Sequence, residues 1–446
     1  MIRRTLLPLL SGALLLTACS TGPASSAAPP GAAGTVVGGR PNIVFVLTDD
    51  LSTNLVPYMP HVQALQRAGM SFTNYTVTDS LCCPSRSSIF SGRFPHNTGV
   101  FTNSGADGGF NVFHNRGEEA TTFATALRNA GYRTAMMGKY LNGYQPGDTL
   151  GGAAPYVPPG WTEWDVAGNG YPEFNYDLNE NGRVVHYGSD TSDYLTDVLA
   201  GKATAFIHSA AQARTPFLLE VATFAPHRPY TPAPRDQNAL PGLSAPRGPA
   251  FDTPPTNPPS WLASRTPLTP RQLDRINNGF RKRAQSVQAV DQMLAAIENT
   301  VAATGQSNDT IVVFSSDNGY HMGEYRLTWG KMTAFDTDVR VPLVVAGPGI
   351  PAGARNAAVT QNIDLCPTFE ELAGVNVPAE VDGRSLVPLL HGQQPPDWPT
   401  AALVEHHGPD LDPTDPDRPG RHSGNPPSYA ALRTAHDTYV EYDHGE

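Results

Sequence analysis

The stretch Leu81-Cys82-Cys83-Pro84-Ser85-Arg86-Ser87-Ser88-Ile89-Phe90-Ser91-Gly92-Arg93 carries the densest chemistry in the chain. It reads as a tight turn into a short helix. Pro84 suits the first turn, and the hydroxyls of Ser85, Ser87 and Ser88 can accept its free N–H groups. Cys82 stands just ahead of that turn and faces the positive end of the helix dipole, while Arg86 adds a permanent cation. Such a place suits an anionic substrate group.

Two remote segments offer hard oxygens. The apolar run 42–48 ends in Asp49-Asp50, and the run 310–316 ends in Asp317-Asn318. Adjacent carboxylates repel each other unless a cation intervenes. With no cluster of His and Cys ligands visible in the sequence, calcium or magnesium suits these residues better than zinc. Placed beside Cys82, the cation would neutralise an anionic oxygen and lower the pKa of a hydroxyl nucleophile. Arg86, Lys139 at a strand end, and Lys331 on a loop would add positive charge. His227 lies between prolines just past another strand, and His321 follows Asp317 closely.

Cys82-x-Pro84-Ser85-Arg86, followed by Ser91-Gly92-Arg93, resembles the sulfatase signature, and it is one of five separated motifs that occur in the family's order between residues 41 and about 392. The resemblance implies that Cys82 is oxidised to formylglycine, whose hydrated aldehyde supplies the hydroxyl that attacks sulfur. It also implies metal ligation by Asp49, Asp50, residue 82, Asp317 and Asn318, with sulfate binding and catalysis by Arg86, Lys139, His227 and Lys331. The strings Gly138-Lys139-Tyr140-Leu141-Asn142, Asp193 to Leu199, Phe280-Arg281-Lys282-Arg283 and Ser316 to His321 look most like N-acetylglucosamine-6-sulfatases and their heparan-sulfate relatives. They suggest a 6-O-sulfated glucosamine. Many sulfatases carry a histidine two residues after the strand-end lysine. Here Leu141 and then Asn142 stand there, so Asn142 or His321 is expected to take that role. Two alternatives compete with a sulfatase: a phosphate or phosphonate ester hydrolase of the same superfamily, and a lipid-anchored glycan-binding protein whose Cys82 is never converted.

These residues need a scaffold. The apolar runs predict buried strands over 42–48, 132–138, 216–223, 310–316 and 341–346, with a further strand over 71–77. Helices are predicted over 61–69, 121–130, 193–211, 270–304 and 362–373. Ligands of such α/β sheets bind beyond the carboxyl ends of the strands. The expected fold is therefore α/β, with a large, mostly parallel sheet flanked by helices over 41–390, and the sulfatase resemblance implies that it is alkaline-phosphatase-like. A small antiparallel C-terminal subdomain is expected over 391–446, incomplete because relatives continue with a further strand. Residues 144–190 read as a long irregular insertion whose Trp161 and Trp164 could line a carbohydrate site, 231–268 as surface loop, and 391–428 as loop.

The chain has 446 residues, with 42 Gly and 43 Pro, so long connections are expected. Its net charge of −11 argues against nucleic acid as a partner and against capture of a long polyanion. Residues 1–19 pair Arg3-Arg4 with an apolar run too short to span a bilayer, ending in Leu16-Thr17-Ala18-Cys19, which resembles a lipobox. Export follows as an expectation, either to a lipid anchor at Cys19 on the outer face of a bacterial membrane or by secretion. The paired arginines suggest a route for folded protein, so a formylglycine-generating enzyme would act before export. Residues 20–40 read as a flexible tether. Cys83 and Cys366 are expected to be packed free thiols.

Overall fold

The computed structural model describes residues 39–443 and 445, so Cys19, the export signal and nearly all of the tether lie outside the described residues. The main sheet has ten strands: β1 (Asn42–Thr48), β2 (Met70–Thr76), β3 (Arg133–Lys139), β4 (Glu163–Ala167), β5 (Tyr176–Glu180), β6 (Arg183–Tyr187), β7 (Phe217–Ala222), β8 (Thr310–Ser316), β9 (Leu343–Ala346) and β10 (Ala354–Gln361). Their order is β10-β2-β9-β8-β1-β7-β3-β4-β5-β6. The block β8-β1-β7-β3-β4 is parallel throughout, and only β5 and β9 run against the rest.

β1 shows why its sequence is an unbroken apolar run. Ile43, Phe45 and Leu47 pack on one face of the sheet, and Val44 and Val46 pack on the other. The first face is covered by helices Cys82–Ser91, Phe123–Asn129 and Leu365–Leu372, through Phe90, Phe123 and Phe369. The second is covered by helices Pro60–Ala68, Leu195–Ala213 and Pro270–Ala303, through Leu65, Phe206 and Leu294. The last of these starts at a capping box in which Thr269 accepts from the Gln272 N–H, with Pro270 in its first turn. A three-stranded antiparallel sheet, β11 (Ala401–His406), β12 (Tyr429–Thr434) and β13 (Thr438–Tyr442), closes the chain. Among the described residues no helix is long and apolar enough to cross a membrane.

Three expectations change. Residues 144–190 are not an irregular insertion: they hold β4, β5 and β6, which extend the main sheet. Trp161 and Trp164 are buried in an aromatic cluster with Phe90 and Tyr140, and the Trp164 indole N–H donates to the Tyr144 hydroxyl at 2.9 Å, so neither lines a sugar site. β10 and β11 were not anticipated as strands, because each alternates buried with part-exposed residues instead of forming an apolar run. Cys83 and Cys366 are buried free thiols, as expected.

Candidate active site

The strand register brings the two acidic tips together. Thr48 of β1 pairs with Ser316 of β8, so Asp49-Asp50 and Asp317-Asn318 leave the sheet side by side at its carboxyl edge. The Asp50 N–H donates to Asp317 Oδ1 at 3.1 Å, and the Leu51 N–H to Ser316 Oγ at 2.8 Å. Asp50 has φ of +66°, a left-handed conformation that Asp tolerates better than most residues. Lys139 ends β3 at the same edge, and His227 lies five residues past β7 with Nδ1 against the Arg228 carbonyl at 2.6 Å.

Cys82 is the first residue of its helix, and Leu81 is the N-cap. The expected serine capping does not occur. Ser85 Oγ donates to the Asp317 carbonyl, Ser87 and Ser88 have buried hydroxyls without hydrogen-bond partners among the described residues, and the Cys83 N–H goes to Asn103 Oδ1 at 3.1 Å. The helix is held by the site rather than by its own sequence. Arg86 is wholly buried, with Nε on Asp317 Oδ2 at 2.8 Å and Nη1 on the Lys139 carbonyl at 2.7 Å.

Around Cys82 the charges interlock. Its Sγ lies 3.1 Å from Asp49 Oδ1 and 2.8 Å from Lys331 Nζ. Lys139 Nζ pairs with Asp49 Oδ2 at 2.5 Å, and Lys331 Nζ with Asp50 Oδ1 at 2.7 Å. Ligand atoms of Asp49, Asp50, Cys82 and His227 all lie within 4.8 Å of one another. The fold thus places His227, which the sequence reading had assigned to catalysis alone, among these ligand atoms beside Cys82. Asp317 adjoins this group, but its oxygens accept from Arg86 and from the backbone N–H groups of Asp50 and Asn318.

Asp417 was missed. It lies on the segment between β11 and β12 and reaches across the site. Its Oδ1 accepts from His227 Nε2 at 2.5 Å and pairs with Lys331 Nζ at 2.8 Å, and its Oδ2 is 3.5 Å from Cys82 Sγ. Asn103, also missed, donates Nδ2 to Asp417 Oδ2 at 2.8 Å. Arg283 is buried against the Tyr320 ring and donates to the Asp50 carbonyl. His321 does not join the cluster around Cys82. Its Nδ1 lies 2.9 Å from Asp338 Oδ2 and its Nε2 2.6 Å from the Ser423 carbonyl, so both ring nitrogens are engaged elsewhere.

The electrostatics follow from burial opposed by these pairs. Burial works against the Lys331 ammonium, yet Asp417 and Asp50 hold its pKa well above the ordinary lysine value. Lys139 is held up in the same way by Asp49. Burial also opposes charge on Asp417, but Lys331 and His227 hold its carboxyl well below the usual range. The Cys82 thiol is pushed up by burial and by the carboxylates of Asp417 and Asp49.

These residues fit a hard divalent cation. Asp50 Oδ2, beside the carboxylate of Asp49, is a buried oxygen without a hydrogen-bond partner among the described residues; Asn318 Oδ1 is likewise unpartnered there, while its Nδ2 donates to Asp50 Oδ1 at 2.7 Å.

A mixed α/β sheet with an acidic, lysine-lined cluster at the carboxyl ends of its strands defines a hydrolase of anionic esters. The family pattern described as Sulfatase matches residues 41–375, and the chain belongs to that family. It is a sulfuric ester hydrolase, of a family that generally uses a metal ion and a formylglycine. It is 37% identical over 393 residues to N-acetylglucosamine-6-sulfatase of Homo sapiens, covering 86% of this chain and 70% of that protein. It is 36% identical to the extracellular sulfatase SULF-1 homolog of Drosophila melanogaster, covering 83% of this chain and 33% of that one. Among solved structures, one of a protein in complex with its substrate D-glucosamine-2-N,6-O-disulfate shares the fold at a TM-score of 0.75, with 23% identity and coverage of 91% and 90%. The phosphonate monoester hydrolase of Agrobacterium radiobacter does so at 0.67, with 21% identity and coverage of 90% and 87%.

Proposed function

We propose that this sulfatase removes the 6-O-sulfate of N-acetylglucosamine, or of a related sulfated glycan, with residue 82 as formylglycine and a calcium or magnesium ion beside it. One observation carries the proposal. His227 Nε2 and Lys331 Nζ converge on a single oxygen, Asp417 Oδ1, next to the buried side chain of residue 82. A carboxylate held there has the charge of a sulfate monoester, and the oxygen on which both donors meet marks a place for the leaving sugar oxygen. The similarity to N-acetylglucosamine-6-sulfatases supports the choice of sugar.

Asp49, Asp50, Asp317, Asn318 and residue 82 would hold the ion, which would supply charge to the sulfate oxygens and acidity to the nucleophilic hydroxyl at residue 82. Arg86 fixes Asp317 and adds charge behind it. Lys139 and Lys331 neutralise the anion as charge builds in the transition state. His227 and Lys331 give a proton to the departing sugar oxygen. His321 acts as a positioning residue, tying Asp338 to the Ser423 carbonyl. The proposal extends to the cell: conversion of residue 82 by a formylglycine-generating enzyme, then export and either lipid anchoring at Cys19 or secretion, on the strength of the N-terminal sequence.

The test uses protein made together with the modifying enzyme, with conversion at residue 82 measured by peptide mass spectrometry. Sulfate release from N-acetylglucosamine-6-sulfate is expected, and Cys82→Ala should abolish it. An intact thiol at residue 82 with sugar binding and no turnover, or faster hydrolysis of aryl phosphate than of aryl sulfate, would overturn the proposal in favour of a binding protein or a phosphoester hydrolase respectively.

A further inference from the structure

Beside the cationic seat lies an open cavity of about 360 Å³, lined by residues that include Asn103, Asn142, Tyr171, Asp412 and Asp415. Its size falls in the range of sites for small ligands, about 300–1,000 Å³. It shares a wall with the seat: the Tyr171 ring lies 5.0 Å from Lys139 Nζ and 4.5 Å from the His227 ring. Across this wall the cavity offers room for the sugar of a sulfate ester bound in the seat.

The two compartments differ in charge. The seat gathers the cations Arg86, Lys139, His227 and Lys331, each paired with a carboxylate of Asp49, Asp50, Asp317 or Asp417. Every charged residue lining the cavity is acidic, Asp412 and Asp415, and none is Lys, Arg or His. Asp412 Oδ2 accepts from Ser104 Oγ at 2.7 Å, and Asp415 Oδ1 accepts from Asn103 Nδ2 at 3.2 Å, so both are held by neutral groups. Asn142 is 8% exposed; its Nδ2 donates to the Tyr171 hydroxyl at 3.2 Å, and its Oδ1 is buried with no hydrogen-bond partner among the described residues. The cavity thus offers acceptors and negative charge. It favours a ligand that brings hydroxyl, amide or ammonium N–H donors. A second anionic substituent would meet two carboxylates, with no cation in the cavity's lining and with Arg418 acting on Asp412 from outside it.

We propose that Asp412 and Asp415 are specificity-determining residues that restrict the enzyme to sugars carrying one sulfate and a neutral or cationic nitrogen at C2, and that reject an N-sulfated sugar. This rests on the amino-sugar proposal above and deepens it.

The experiment compares kcat/KM for N-acetylglucosamine-6-sulfate with that for glucosamine-2-N,6-O-disulfate, using converted enzyme and the variants Asp412→Asn and Asp415→Asn. The wild type should favour the monosulfated sugar by roughly tenfold or more at low salt, the scale of a like-charge contact, and less so as salt screens it. Each variant should narrow the ratio several-fold, mainly by raising kcat/KM on the disulfated sugar. Calorimetric binding of both sugars to the Cys82→Ala protein gives a reading independent of turnover, and the same order is expected. Equal kcat/KM for the two sugars in the wild type, or a ratio that neither variant moves, would overturn the inference and leave the amino-sugar proposal standing. Failure of both sugars to be bound or hydrolysed, while another sulfate ester is turned over, would overturn the amino-sugar proposal and this inference with it.

Discussion

Arg86→Met should unfold the site from within. Arg86 and Asp317 form a wholly buried pair, 2.8 Å apart, that ties the helix Cys82–Ser91 to the tip of β8. Burial works against charge on Asp317, but Arg86, Lys139 and Lys331 hold its pKa below the ordinary aspartate value. Met fills much of the arginine's volume and leaves Asp317 charged and unpaired. Breaking one side of such a pair costs about 3–5 kcal/mol. The lower part of that range is expected, because Asp317 Oδ1 keeps the N–H groups of Asp50 and Asn318 at 3.1 and 2.7 Å. Asp317→Asn strands the guanidinium and should cost a similar amount. The double variant removes both charges, so its loss should fall short of the sum by about 2 kcal/mol, within the range for residues in direct contact. Urea unfolding followed by circular dichroism, with a chelator present throughout, measures all four proteins without a contribution from bound metal. Losses that add to within about 0.5 kcal/mol would show that the two residues are not coupled and would refute the reasoning. Because the folded pKa of Asp317 is depressed, its share of stability is present above the unfolded value and is lost as pH falls through the folded one. Asp317→Asn should therefore flatten the acid limb of the stability curve.

Three further outcomes are expected. Glu173 accepts the Thr196 N–H and hydroxyl at the start of the helix Leu195–Ala213, and burial raises its pKa to about 8. It stays protonated in the fold while the unfolded chain ionises, so stability should fall from about pH 4.5 to about pH 8, by at most about 1.4 kcal/mol per pH unit. In Glu173→Gln that component disappears, and thermal unfolding curves that stay parallel to the wild type between pH 5 and 8 would count against it. Asp417→Asn removes the anion paired with Lys331 and His227, so inorganic sulfate should inhibit several-fold more tightly; an unchanged inhibition constant would show that the carboxylate and sulfate do not compete. Calcium at one hundred times its Kd should stabilise the protein by about 2.7 kcal/mol relative to chelated protein. Asp50→Asn should lose most of that gain in a melting experiment, and a full calcium response in the variant would remove Asp50 from the ligand set.

The local parts of this protein were legible in its residues. Buried parallel strands announce themselves as unbroken apolar runs, so β1, β7 and β8 and the acidic or basic residues at their ends stand out. The helix after Leu81 and the pattern of Cys82, Pro84 and Arg86 were equally plain, and with them the sulfatase chemistry. What depends on partners far along the chain was not. Only the β1–β8 register sets Asp50 against Asp317, residues 267 positions apart. β4 to β6 hide in a Gly- and Tyr-rich segment because their stability comes from pairing at a sheet edge, and Trp161 and Trp164 owe their burial to that pairing. His321 looked like a second catalytic base until the fold matched its two nitrogens with Asp338 and Ser423. Asp410, Asp412, Asp415 and Asp417 look in sequence like any solvated acidic loop. Their signal was the spacing alone, and only tertiary structure could place one of them over a lysine and a histidine and leave two others to line the neighbouring cavity, because a charge acquires its meaning from the groups packed around it.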